Sequence, residues 1–230
     1  MEFRPEDILK NIIPGLIACI GFVSVSLGNF TYSDFKGVFF TDIKDYSEIM
    51  LIFLLVFAYL MGYIVDAISS FIEYNIVYKF LGTPSSKLLT NSKSRIHLVN
   101  QEAIINNIVL KCSLKPEDFI LDPLQSKKNL KSCNILFKHA NYLKDENPIS
   151  GIKEKVKQYY FSYIFSRNLF FSAFFSCICV LISQFNKLTF LSITLFVICL
   201  LVLYYRKREQ SFYYSRQVLL ASNHSTKSSD

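Results

Sequence analysis

Two carboxylates stand where a greasy run of the chain ends. The stretch "MGYIVDAISSFIE", residues 61–73, carries Asp66 and Glu73 behind a long apolar segment. Acids in that position have three uses. They can pass a proton or an ion, pair with a cation on a neighbouring helix, or mark the edge of a membrane. Gly62, Asp66, Ser69 and Glu73 are spaced 4, 3 and 4 apart, which puts them on one stripe of a helix, with Ser70 beside it. Small and polar residues on one stripe let membrane helices approach closely. The opposite face carries Ile64, Ala67, Ile68 and Phe71 and suits lipid, so the stripe is expected to face protein. Arg167 in "YIFSRNLFF" is the expected partner of Asp66, with Asn168 beside it as a second donor and Lys10 as another candidate cation. Arginine pairs with a carboxylate in a fixed fork and therefore sets helix register better than lysine does.

Other chemistry finds little footing in the sequence. His97, His139 and His224 are scattered and have no neighbouring Cys, so they read as surface residues. Of six cysteines, Cys19, Cys177, Cys179 and Cys199 fall in apolar runs, and Cys112 and Cys133 fall in a segment expected to lie in the reducing cytosol. Cys177 and Cys179 are two apart and lack the second ligand pair of a zinc site. With seven Gly, the chain has no glycine-rich phosphate loop, and it has no G-x-S-x-G turn. No catalytic residue, metal ligand or cofactor site is assigned. One Asp near one edge is not a relay across a bilayer. Two roles stay open for the acids: a permanent pair that holds helices together, or a latch that opens when a partner binds.

Four stretches must position these groups. The chain has 230 residues, 51% of them apolar. About twenty apolar residues in a helix cross a ~30 Å hydrocarbon core. Residues 12–30, 49–69, 168–185 and 188–205 meet that length or nearly so. The first is read as a retained span, because its flank "MEFRPEDILK" mixes acids with bases and no small-residue cleavage site follows. Only Asn186 and Lys187 separate the last two, so they are expected to form a tight hairpin. If hydrocarbon begins near Ile49, Asp66 falls about one turn inside the cytosolic boundary and Glu73 at headgroup level.

The expected fold is an all-α membrane protein, with four transmembrane helices as two hairpins and a small helical cytosolic region between them. Residues 1–11 form a cytosolic flank. Residues 12–81 form the first hairpin with a helical extension, 82–158 the cytosolic region, 159–205 the second hairpin, and 206–230 a tail, helical to about Ala221 and then disordered. Of the 25 Lys and Arg, 22 fall on the N-terminal flank, the central segment and the tail, which places those parts and both termini in the cytosol. The net charge of +7 belongs to this face, where anionic headgroups attract it, and no direct nucleic-acid binding is expected.

Local signals divide the cytosolic region. "LGTP" stops the extension of the second span, with Gly82 as cap and Pro84 beyond, and Ser85 or Ser86 is expected to cap a short following helix. Ile96, Val99, Ala103, Ile104 and Val109 recur near helical spacing, and so do Leu130, Cys133, Leu136, Phe137 and Ala140. A core of this size is marginal without further docking.

A resemblance rests on Gly62-Tyr63, Ser69-Ser70, Glu73, Gly82, Pro84-Ser85 and Phe165-Ser166-Arg167-Asn168. In these residues the chain resembles the membrane effectors associated with retrons, small bacterial proteins of anti-phage systems. It departs from the pattern at Asp66, where a more neutral residue is expected. The resemblance implies a bacterial inner-membrane protein and a toxic effector. A cytosolic sensor protein or ribonucleoprotein would restrain it until infection, and release would damage the membrane. The competing expectation is a non-catalytic scaffold or regulatory subunit of a membrane complex; a homo-oligomer in the bilayer is a further expected partner. A channel ranks last, because away from their ends the last two spans offer only Ser172, Ser176, Ser183, Ser192 and Thr194 as hydroxyls.

Overall fold

The computed structural model describes residues 5–26, 47–90, 100–115, 119, 126–146, 149–184 and 190–224. It is helical throughout, with no strand among the described residues. The elements are α1 (Pro5–Ser26), α2 (Ser47–Ile72), a π-helical turn (Glu73–Val77), α3 (Tyr78–Leu81), α4 (Pro84–Leu89), α5 (Gln101–Lys111), α6 (Ser126–Glu146), α7 (Ser150–Gln184) and α8 (Phe190–His224). Among the described residues, Ile8–Val25 and stretches within Leu51–Leu89 and Ser150–Ser183 are long and apolar enough to cross a membrane. The fourth expected span, 188–205, begins outside the described residues, as do the 186–187 turn and the 31–46 loop. From Phe190 onward that stretch is helical.

The chain divides into two compact units, Met1–Phe71 with Ile164–Lys207, and Ile72–Tyr163 with Arg208–Asp230. The first unit is built on close backbone approach. A Cβ on Gly15 would overlap the Ala58 carbonyl, and one on Gly62 would overlap the Asn11 carbonyl. The partner falls by four as the residue rises by four, so α1 and α2 run antiparallel at this contact. A Cβ on Gly21 would lie 2.6 Å from the Ser176 Cα. The Ser176 hydroxyl donates to the Ile17 carbonyl at 2.5 Å, tying α7 to α1. Pro14 sits inside α1, because the helix starts at Pro5, well before the apolar run begins.

The second unit has an ordinary apolar core. Leu88 and Leu89 of α4, Ile104 and Ile108 of α5, Cys133, Leu136 and Ala140 of α6, and Phe212, Val218 and Leu219 of α8 cluster there. The expected face of α6 is this buried one, apart from Leu130, whose side chain lies outside the described set. On α5, Ala103 turns out to be exposed while Ile104 and Val109 are buried; Ile96 and Val99 lie outside the described residues. α5 begins at Gln101, behind a left-handed Asn100 at φ 56°.

The exit of α2 differs from expectation in one respect and its cap in another. The helix widens into a π turn, where the Tyr78 N–H bonds to the Glu73 carbonyl five residues back. Gly82 ends α3 at φ 72°, a conformation that favours glycine. The following helix is capped by Thr83, whose hydroxyl accepts the Ser86 N–H at 3.2 Å, and not by Ser85 or Ser86. Pro84 then opens α4 at its first position, where its missing N–H costs nothing.

Cys133 reports on this core. It is fully buried, and burial pushes its thiol up to about 12 from 9.0. A raised acid pKa keeps its stabilising effect below the unfolded value and loses it as pH climbs toward the folded one. The unit is therefore expected to lose stability between about pH 9 and 12. Lys144, held below its ordinary value mainly by burial, acts in the opposite sense. At neutral pH, mass-mapped thiol labelling is expected to leave Cys133 unmodified until denaturant unfolds the unit; rapid labelling of the native protein would show the core to be open.

Candidate functional site

The stripe on α2 is inward-facing. Ser69 is fully buried, whereas Ile64 and Ile68 are each 52% exposed and Phe71 is 66% exposed. A periodicity of 3.6 puts these sets on opposite sides of one helix, and the apolar side is the one left uncovered.

α7 supplies the groups that meet the stripe in the first unit. Arg167 Nη2 donates to Asp66 Oδ1 at 2.5 Å. Asn168 Nδ2 donates to the same oxygen at 2.9 Å. Asn168 Oδ1 in turn accepts from the Ser69 hydroxyl at 3.0 Å and from Arg167 Nε at 3.3 Å. Asn168 is the hub: its amide donates with one end and accepts with the other, so the four side chains close into one network. Arg167 and Asn168 are buried, while the Asp66 side chain keeps 35% of its surface. Such a network satisfies buried polar groups that would otherwise be costly. Gly62, one turn earlier, makes the close contact with Asn11 on α1.

Glu73, the last residue of the stripe, is buried as well. It lies in the second unit, 3% exposed. The Tyr163 hydroxyl donates to Glu73 Oε2 at 2.5 Å. That uses the only Tyr163 proton, so Tyr78, whose hydroxyl lies 2.9 Å away, donates to Tyr163. The Tyr163 ring stacks on Tyr214 of α8 at 5.9 Å and 1°. Tyr160 and Phe137 also pack against Tyr214, and the Lys144 ammonium stands 5.9 Å from the same ring. Burial, with Tyr160 and the Asp145 carboxylate, pushes the Tyr214 phenol up to about 12. The sequence shows Tyr163 one turn before Arg167 on α7, but that spacing alone does not say which residue stands opposite it.

A second cation is built into the first unit. Lys207 is 3% exposed, and its ammonium lies 5.2 Å from the Phe171 ring centroid, 5.6 Å from Phe170 and 6.0 Å from Tyr204. An ammonium over aromatic faces is attracted by the ring quadrupole, and the contact joins α7 to α8. Among the described residues no three His, Cys, Asp or Glu side chains come together in a way that could hold a metal ion. No family model, curated protein or solved structure matches this chain.

Proposed function

We propose that the protein is a four-span bacterial inner-membrane effector of an anti-phage system, with both termini and the second unit in the cytosol. It acts by disrupting the membrane when a cytosolic partner releases it, without enzymatic chemistry of its own. The observation that carries this reading is the Asp66–Arg167–Asn168–Ser69 network. Depth supports it. Exposed apolar residues on α8 end at Tyr205 and are followed by exposed Arg206. Lys207 just beyond packs on Phe170 and Phe171 of α7, so the hydrocarbon edge passes near those rings. Arg167 lies about one turn further toward the cytosol. Such a depth supports a network near the cytosolic boundary, as a count from Ile49 also expects. A charge pair there costs far less than at mid-membrane, and water can reach Asp66. A contact of that kind holds helices together and can still open.

A scaffold role is favoured instead by the first unit's tight backbone contacts at Gly15, Gly21 and Gly62, which suit a fixed bundle. Induction in bacterial cells without any cognate partner separates the two readings. Uptake of a potential-sensitive dye is expected to change and growth to stop soon after induction. Full potential and normal growth at high membrane abundance would leave the scaffold as the better account.

A further inference from the structure

We propose that the segment Tyr74–Leu81 of the second unit docks on the surface of the bilayer, with its exposed side chains seated where acyl chains meet anionic headgroups. The inference rests on the membrane-spanning part of the reading above and not on the effector role.

The second unit leaves apolar groups uncovered mainly in one place. Among its described residues eight large apolar side chains are exposed, and four of them, Tyr74, Ile76, Phe80 and Leu81, fall within eight consecutive positions. Phe80 is 80% exposed and Tyr74 76%. The other four, Leu110, Tyr142, Ile149 and Tyr160, are spread from α5 to α7. Single apolar residues on a surface are ordinary, but a cluster marks a contact. The inward side of the same segment is already engaged: Glu73 before it is buried, and the Tyr78 hydroxyl bonds Tyr163 at 2.9 Å. The unit's own packing therefore holds the other side outward, with Lys79 exposed among the apolar groups.

Continuity and charge select lipid as the occupant. Phe57, Leu60, Ile64, Ile68 and Phe71 recur every three or four residues along α2 and are each about half exposed or more. In the reading above this side of α2 faces lipid, and Tyr74 is its next member at the same spacing. Over their full ranges the first unit has eight basic and eight acidic residues and the second has seventeen and ten, so the second carries the whole +7. A second copy of that unit would be repelled, whereas anionic headgroups attract it. Tyr, Phe and Lys suit such a boundary, with rings at the apolar edge and the ammonium among the headgroups.

Length adds a requirement. α2, the π turn and α3 have 26, 5 and 4 residues, about 50 Å of helix against a ~30 Å hydrocarbon core. An upright helix would carry Phe80 about 20 Å past Asp66 and beyond the headgroups. Docking therefore requires the helix to lean or bend toward the surface after Asp66, and a π turn is one of the places where helices bend.

The chain has no Trp, so a single introduced Trp reports its own surroundings. Phe80→Trp is the probe, and Phe57→Trp, near the middle of the α2 span, is the reference for hydrocarbon. Each full-length variant is reconstituted in vesicles of dioleoyl phosphatidylcholine and dioleoyl phosphatidylglycerol, part of the lipid being brominated either close to the headgroup or near the chain end. Phe57→Trp is expected to lose more fluorescence to chain-end bromine. No loss there to either lipid would refute the membrane reading itself. Phe80→Trp is expected to lose more to bromine close to the headgroup and little to aqueous acrylamide, and Tyr74→Trp to repeat that result. With Phe57→Trp quenched as expected, three outcomes at Phe80→Trp overturn the docking proposal: quenching by acrylamide alone, which means water; protection from every quencher, which means a second copy or another protein; and stronger quenching by chain-end bromine, which means hydrocarbon. In phosphatidylcholine alone the loss at Phe80→Trp is expected to fall and that at Phe57→Trp to stay; equal losses at Phe80→Trp in both lipids overturn the choice of an anionic surface.

Discussion

Replacing Asp66 with Leu is expected to lower stability by about 3 kcal/mol, because it removes the carboxylate that faces a buried guanidinium. Arg167 would keep the Asn168 carbonyl oxygen, a neutral acceptor 3.3 Å from Nε, in place of a carboxylate. Arg167→Leu is expected to cost less, since Asp66 keeps the Asn168 amide at 2.9 Å and a third of its surface for water. This order, Asp66→Leu worse than Arg167→Leu, reverses the one expected if arginine packing dominated. Exchanging the charges, Asp66→Arg with Arg167→Asp, should restore most of the loss. The hub can adapt: Asn168 needs only to flip its amide to accept from an arginine at 66 and donate to an aspartate at 167. With no Trp in the chain, the measurement is a far-UV circular dichroism melt of detergent-solubilised protein. Two damaging single changes with no recovery in the exchange would count against the pair. Cellular potential adds the functional half. If the network is a latch, Asp66→Leu depolarises cells at lower expression than wild type; a purely packing role lowers abundance and leaves the potential intact.

Much of this site was legible in the sequence because a helix repeats every 3.6 residues. The 4, 3, 4 spacing of Gly62, Asp66, Ser69 and Glu73 fixes one face whatever lies opposite, and charge narrows its partner to Arg167 or Lys10, of which the arginine fork favours the first. The pairing of Glu73 was not legible. Spacing shows which side chains share a face, but not which residue of another helix stands opposite, and the group facing Glu73 is a phenol, not a cation. The π turn was equally hidden: widening a helix to five-residue bonds leaves no mark in composition. The α4 cap went to Thr83 because proline at the first helical position fixes the cap one residue earlier. The α6 face was readable from Cys133, Leu136 and Ala140, since four-residue recurrence of apolar groups demands a partner surface. That α8 supplies Phe212 and Leu219 to the same core is a long-range fact with no local signal.

Gly62 and Gly15 show a different kind of constraint, and Gly62→Ala tests it. The new methyl would meet backbone, the Asn11 carbonyl with its carbon 2.6 Å and Cα 2.8 Å away, and backbone cannot turn aside as a flexible side chain can. The helices must separate, and a rigid α2 that moves off Asn11 also leaves the Gly15–Ala58 approach. A cost of about 3 kcal/mol is expected, at the upper end of overpacking penalties, with Gly62→Leu preventing the bundle from forming. Gly151→Ala makes the control. It adds the same methyl to α7 with nothing within 4 Å, and it should be neutral or gain up to about 1 kcal/mol from helix propensity. Rescue separates the two sites. The Asp66 defect answers to a compensating side chain, but no truncation of Asn11 should repair Gly62→Ala, because the obstructing atoms belong to the main chain. Melting temperature and monodispersity in detergent read all three variants. Recovery of Gly62→Ala by Asn11→Gly would mean that α1 and α2 meet through side chains instead.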